Sequence, residues 1–402
     1  MPAFDEDGLH AFSKVLQHDL TRNIVNTEQV ALQEAEHVME QILVETDSWQ
    51  EINLTAVLEK VMYQVSQRAY VGLALCRDDG YMENVKGYTR SLGMAMGFVG
   101  SLTPWPLRTI TGVLAGLPVY WYLLRLQWRL GPVFKDRMER LRMRQREREG
   151  MLNDEPEDLI TWMSRAVLSG VGPKSVTPNG MVTWLGILAI LPTDNLVAGC
   201  TNSFLDLASS DPKHGYFRTI RDEANAAFGM NKASGQPISH ALNHIDSALR
   251  ESLRMNSLSS RALHRQVACA GGIVLPDGHR VPRGTWLCIP SGDIQSDDDS
   301  YEEARSFKPF RWVPKLIESS DAGKGPTLPL TSEKYLVFGH GRHACPGRWF
   351  SFHVMKVVMA YFVANYDIEP LERRPPNAIV GDINLPPMSP IIRIKKLVPL
   401  ND

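Results

Sequence analysis

Phe338-Gly339-His340-Gly341-Arg342-His343-Ala344-Cys345-Pro346-Gly347 sets one cysteine in a glycine-rich loop, and the residues after it, Arg348 to Tyr366, read as an apolar helix. Glycines at 339, 341 and 347 let backbone N–H groups come close to the sulfur. A helix starting just past the cysteine points the positive end of its dipole at it, which favours the anion over the thiol. An isolated cysteine is ordinarily a small buried apolar residue. Here the surrounding string points instead to a thiolate held for coordination.

A thiolate so placed would serve as an axial ligand for haem iron, where it would push electron density onto the metal and need shielding from water and oxidation. The string resembles the haem-binding signature of the cytochrome P450 family in its phenylalanine, two glycines, basic residue, cysteine and following glycine. On that resemblance Cys345 is the iron ligand and Phe338 belongs to the haem-binding loop.

Three further segments, in matching order, extend the resemblance over nearly the whole chain. Glu251-Ser252-Leu253-Arg254 is similar to the family's Glu-x-x-Arg on the helix called K, and residues three apart share a helix face. Alone, this pair reads as a surface ion pair worth about 0–1 kcal/mol. Phe307-Lys308-Pro309-Phe310-Arg311-Trp312 supplies the arginine that closes a buried triad in the family. An incomplete buried triad costs about 3–5 kcal/mol, so Arg311 reads as architecture behind the haem and not as chemistry. His18-Asp19-Leu20-Thr21-Arg22 is similar to helix C, where residues four apart reach a haem propionate from one helix face. The resemblance adds Arg265 and His343 as further propionate contacts. Without it, His18 reads as a solvated helix residue.

The 402 residues, 44% hydrophobic and 22% charged, suffice for a large core, and the resemblance covers residues 1–402 as one domain. A net charge of −2 offers nucleic acid no general attraction. Cys76, Cys200, Cys269, Cys288 and Cys345 are widely spaced, odd in number and contain no Cys-x-x-Cys pair. That favours a reducing compartment over a zinc site or disulfide framework. No internal repeat stands out, and the polar run Asp5 to Asp7 speaks against a secretory signal.

The pattern is mainly α with a small β region. Leu54, Val57, Leu58, Val61, Met62 and Val65 recur at helical spacing and read as core. Phe134 to Glu149 reads as a helix with a solvated charged face, its arginines interleaved with Asp136, Glu139, Glu147 and Glu149. Strand signals gather at Gly272 to Leu275, the turn Pro276 to His279, and Thr285 to Ile289.

Residues 92–126 are apolar and aromatic, with Phe98, Trp105, Tyr120 and Trp121, and are punctuated by Pro104, Pro106, Arg108 and Pro118. These breaks argue against a membrane-spanning helix, which needs about 20 apolar residues in a row. Two readings stay open: ordinary buried helices, or a segment that dips into a membrane interface or lines a greasy substrate entrance. In the resembled family the stretch corresponds to the F and G helices, whose loop often touches the membrane.

The chain also departs from the family pattern. Membrane-carried members begin with an anchor helix and early strands, whereas this sequence starts near helix C. The expectation is a helical haem domain lacking the anchor and first strands, either because the gene is short or because the sequence is truncated. The hairpin Ile273 to Ile289 would then lose partners and expose an edge.

Helix I of the family, which normally carries an acid and a threonine that manage protons, is placed at Met181 to Ser209. This register puts Asp194 at the acid and Asn195 at the threonine, with Pro192 bending the helix. A register on Ala198-Gly199-Cys200-Thr201 leaves too short a distance to Glu251. Asparagine can hydrogen-bond but cannot act as a hydroxyl relay. Asp194 after Pro192 and Thr193 reads equally well as a helix cap.

The resemblance implies a haem-thiolate monooxygenase using haem b and acting on a lipophilic small molecule, a secondary-metabolite intermediate of the fungal type. The Arg342 to Arg348 run and Tyr70-Val71-Gly72-Leu73-Ala74-Leu75-Cys76-Arg77 suggest that branch. Electrons come from NADPH through a cytochrome P450 reductase, docked on a basic face to which Arg342, Arg348 and Lys356 are candidates. The implied location is the cytoplasmic face of the endoplasmic reticulum membrane, held peripherally, or the cytoplasm. Competing readings are oxidative coupling or desaturation without oxygen insertion, a haem-poor remnant serving as a binding module, and a haem-free peripheral membrane protein built around residues 92–126.

Overall fold

The computed structural model describes residues 6–42, 48–147, 155–170, 176–314 and 331–397. Asp5 and Glu149 lie outside them, as do the side chains of Trp105 and Glu147.

Helices come first. Helix α1 (Glu6–Val15) runs through a π-helical turn, Leu16–Leu20, towards α2 (Ile24–Ile42). Strand β1 (Gln50–Asn53) leads into α3 (Leu54–Val71), which Asn53 caps by accepting the Ala56 N–H at 3.1 Å. Then follow α4 (Leu73–Cys76), α5 (Asp79–Gly97), α6 (Arg108–Glu147), α7 (Leu159–Leu168), α8 (Pro178–Leu185), α9 (Thr193–Ala208), α10 (Tyr216–Ser234) and α11 (Asn243–Met255). Asp78, Asp158 and Thr177 cap α5, α7 and α8.

Strands gather after α11: β2 (Ala262–Gln266), β3 (Ile273–Val274), β4 (Arg280–Val281) and β5 (Trp286–Ile289), then the short helix α12 (Ser291–Gln295). Beyond the cysteine loop, α13 (Arg348–Asn365) passes straight into β6 (Tyr366–Ile368), followed by β7 (Ala378–Val380), β8 (Ile383–Leu385) and β9 (Ile391–Lys396). All pairings are antiparallel: β1-β9-β6 form one sheet, and β2-β5, β3-β4 and β7-β8 form ribbons. The expected single hairpin Ile273 to Ile289 is divided between two ribbons: β3 turns back onto β4, while β5 pairs with β2, and Trp286 is 65% exposed.

The core lies where α3, α9, α11 and α13 pack together. All six apolar α3 positions named from spacing are buried. Phe204 of α9 meets Phe362 of α13 with ring centroids 5.4 Å apart. Burying such a side chain contributes about 1.5–3 kcal/mol, which is what fixes α13, and with it the loop before it.

Two sequence expectations need correction. Pro118 does not break the apolar stretch: Pro118 and Pro132 both lie inside the 40-residue α6. Packing of one α6 face on α5, α7 and α8 holds the backbone through the missing hydrogen bonds. Arg108–Gln145 is consequently long and apolar enough to cross a membrane by length and composition, and only 11% of its apolar window is buried. Ile110, Val113, Leu117, Trp121, Leu124 and Trp128 form an exposed stripe at helical spacing along it. Pro178–Ala208 passes the same test but is 56% buried, as a core helix is.

The second correction concerns Lys356, expected on a docking face. It is 5% exposed and its ammonium donates to Asp246 at 3.2 Å, so it belongs to the core.

Candidate active site

The cysteine loop is shaped by backbone geometry. Gly339 and Gly341 have φ of 70° and 73°, a left-handed conformation that a Cβ makes costly. Cys345 N–H donates to Phe338 O at 2.8 Å and Gly339 N–H to Leu336 O at 2.9 Å, closing the loop on itself. α13 begins at Arg348, and the backbone N–H groups of Gly347 and Arg348 both point at the Cys345 sulfur. Burial pushes this thiol above its ordinary pKa, and the two N–H groups and the Arg348 charge pull only part of the way back. A bound cation would complete what they begin, since a coordinating thiol is deprotonated outright.

Phe338 is half-buried against the core. A Cβ on Gly339 would lie 3.7 Å from Leu263 Cδ2, which places β2 against the loop. Leu263 itself has φ of 54°, a strained conformation for a non-glycine residue. Arg265, two residues along this strand, is exposed, and its guanidinium donates to the His264 carbonyl at 2.7 Å. His343 is exposed on the loop itself. Neither forms an ion pair with a carboxylate among the described residues.

His18 and Arg22 are also exposed, His18 on the π-helical turn. Their charged neighbour is Asp19, near Arg165 and Glu157 by α7, and burial raises the Asp19 pKa against the pull of Arg22 and His18. No hydrogen bond or ion pair among the described residues joins either of them to the cysteine loop, and all four propionate candidates keep exposed side chains.

Behind the loop the triad is complete. Arg254 Nη2 and Nε donate to the two Glu251 oxygens at 2.8 and 3.0 Å, and Arg311 Nε donates to Glu251 Oε1 at 2.9 Å. The Glu251 and Arg254 side chains are 0% exposed. Arg254 also donates to the Gln295 carbonyl, and the Gln295 side-chain oxygen accepts the Leu336 N–H at 3.0 Å.

The expected helix I is α8, a π-helical turn over Gly186–Ile190, and α9, with the bend at Pro192. Asp194 does not cap α9. Its Oδ1 accepts from the Tyr63 hydroxyl at 2.5 Å, and Tyr63 is 2.6 Å from Thr89 Oγ1. Asp194 is exposed on its outer side, and desolvation of its carboxyl where it meets α3 raises its pKa; the Tyr63 bond lowers it, Glu59 raises it, and Arg90 and Lys86 lower it. Asn195 is exposed beside it. At Gly199 the helix packs closely on its neighbours, since a Cβ there would come within 2.8 Å of Met355 Sδ and 3.0 Å of Leu253 Cδ2. Tyr63, Thr89 and Gln295 were not foreseen from the sequence. Tyr63 lies in the apolar run of α3, where its phenol gives no one-dimensional hint of a partner on α9.

A haem fits what is present: a sulfur facing two backbone N–H groups at a helix start, with Arg342 and Arg348 on the same loop, neither of them ion-paired with a carboxylate among the described residues. Together with the closed triad and the π-interrupted helix, this defines the class of haem-thiolate enzymes. A cytochrome P450 family model matches residues 11–390, and the chain belongs to that family. It is 61% identical over 396 residues to cytochrome P450 monooxygenase lnaC of Aspergillus flavus, a match spanning 98% of this chain and 75% of that protein. It is 30% identical over 402 residues to cytochrome P450 monooxygenase polB of Polytolypa hystricis, spanning 95% and 74%. It is also 30% identical over 411 residues to cytochrome P450 monooxygenase nodZ of Hypoxylon pulicicidum, spanning 98% and 74%. The activity is that of a monooxygenase of this family, which implies a haem, a small-molecule substrate and a redox partner.

Proposed function

We propose that the chain oxidises a lipophilic secondary-metabolite intermediate, with Cys345 as the iron ligand and Phe338 packed beside the haem. The haem supplies oxygen activation; the protein residues bind, orient and manage protons. Arg265 and His343, with His18 and Arg22 from the first helices, neutralise the propionates. The Asp194 carboxyl carries a proton at Oδ1 or Oδ2, and the Asn195 amide orients a water. Electrons come from NADPH through a cytochrome P450 reductase meeting the exposed Arg342 and the flank of Arg348. The apolar stripe of α6 rests on the cytoplasmic face of the endoplasmic reticulum membrane.

The observation that carries this reading is the pair of N–H groups on the Cys345 sulfur. Its test is the reduced carbon monoxide spectrum of the haem-loaded chain: a thiolate-type Soret band, lost in Cys345→Ala, supports it, and folded protein without that band sinks it. A second reading, oxidative coupling or desaturation without oxygen insertion, is favoured by Asn195, whose amide cannot relay protons as a hydroxyl does. Incorporation of labelled dioxygen into product separates the two.

A further inference from the structure

Asp194, Tyr63 and Thr89 come from three helices, α9, α3 and α5, and meet in a line. The Tyr63 oxygen is 2.5 Å from Asp194 Oδ1 and 2.6 Å from Thr89 Oγ1, and Thr89 Oγ1 is 3.2 Å from the Lys86 carbonyl oxygen. Tyr63 is 1% exposed and Thr89 2% exposed, so water does not substitute for a missing partner.

Tyr63 has one proton and two oxygen neighbours. When Asp194 is ionised, the phenol donates to the carboxylate, and Thr89 is free to donate to Tyr63 or to the Lys86 carbonyl. When Asp194 is protonated, the carboxyl O–H donates to the phenol, the phenol to Thr89 and Thr89 to the Lys86 carbonyl. Every hydroxyl proton has an acceptor in both arrangements.

We propose that Tyr63 and Thr89 form a reversible hydrogen-bond chain behind Asp194, whose direction turns over with the carboxyl proton, and that Tyr63 is thereby a positioning residue for proton delivery. This rests on the reading of Asp194 as the proton carrier. The other charged groups that act on Asp194 are Glu59 from α3 and Lys86 and Arg90 from α5; Glu59 is shared by Lys86 at 3.2 Å and Arg90 at 4.0 Å, so one carboxylate faces two cations, a background that stays the same when either hydroxyl is removed. Burial and the Asp194 charge push the Tyr63 pKa far up, so the phenol reorients without ionising.

The chain makes an unusual demand: removing either hydroxyl should shift the Asp194 titration, in opposite directions. Tyr63→Phe removes the donor to the carboxylate and should raise its proton affinity. Thr89→Val removes the acceptor that the protonated arrangement needs and should lower it. One hydrogen bond corresponds to about a fivefold to tenfold change in each case. The measurement is the pH-dependent infrared carboxyl band of the purified haem-loaded chain, assigned by its loss in Asp194→Asn, with Thr89→Ser restoring the parent midpoint. Opposite shifts support the chain. Shifts of the same sign, or none, overturn it. Failure of the proton-carrier reading shows separately: Asp194→Asn then forms product at the parent rate per electron consumed, whatever the infrared midpoints do.

Discussion

The side-chain oxygen of Gln295 accepts the Leu336 N–H at 3.0 Å, while the Gln295 carbonyl accepts from Arg254. One residue therefore joins the buried triad to the chain that becomes the cysteine loop two residues later. The triad thus acts on the site at a distance, by fixing where the loop begins.

Gln295→Ala should leave the buried Leu336 N–H without a partner, at about 1–3 kcal/mol. Denaturant unfolding should show that loss. The haem dissociation rate should rise with it, which distinguishes a loop anchor from a merely buried glutamine.

Glu251→Gln removes the charge that both Arg254 and Arg311 face. A buried guanidinium left uncompensated costs about 3–5 kcal/mol, so the variant should melt far below the parent or fail to accumulate. A melting temperature within a few degrees of the parent would contradict the triad's assigned role.

Gly339→Ala asks an L-residue to adopt φ of 70°, at a cost of about 1–2 kcal/mol. There is room for the methyl group, whose nearest neighbour would be Leu263 Cδ2 at 3.7 Å. The penalty is thus conformational, and Gly339→Asn should be milder than Gly339→Val when thermal stability and carbon monoxide spectra are compared.

His353 of α13 is buried, with its Nε2 unpartnered, and burial together with Lys356 and His240 lowers its pKa to about 3. The unfolded chain takes up this proton near the ordinary histidine pKa of about 6.5, and the folded chain does not. Above that pH the residue contributes no pH dependence. Between there and about 3 it should remove up to roughly 1.4 kcal/mol of stability per pH unit as pH falls. His353→Leu should flatten the decline of unfolding free energy over that window, and an unchanged slope would refute the assignment.

Trp121 and Trp128 are 60% and 78% exposed on the α6 stripe. Replacing both with serine should weaken flotation of the protein with anionic vesicles at least severalfold while leaving its melting temperature unchanged. Equal flotation would remove the stripe from the membrane reading.

What was legible in the sequence was what depends on short spacing. The cysteine loop and the helix break at Pro192 sit where the local string put them, and Glu251 and Arg254 lie side by side as a three-residue spacing requires, although spacing alone left that pair at the surface and the fold buries it. Arg311 was reached through resemblance and closes the triad. What stayed hidden depends on how distant faces meet. Lys356 looks like a surface cation until Asp246, on α11, proves to be its partner. Pro118 looks like a helix end until the packing of α6 carries the backbone past it. His18 and Arg22 share a helical turn and both are exposed, but the anion that such a face meets is not fixed by spacing.

Helix α9 is seated in the core along its inner face. Around Gly199, mid-helix, it lies hard against Met355 and Leu253, with no room even for a methyl group, and in its first turn Thr193, Leu196 and Val197 are buried while Asp194 and Asn195 face outward. The outward carboxylate thus rides on a backbone that the core holds in place. What happens at Asp194 reaches α5 through side chains, by way of the Tyr63 hydroxyl and then Thr89, and not through rotation of the helix that carries it.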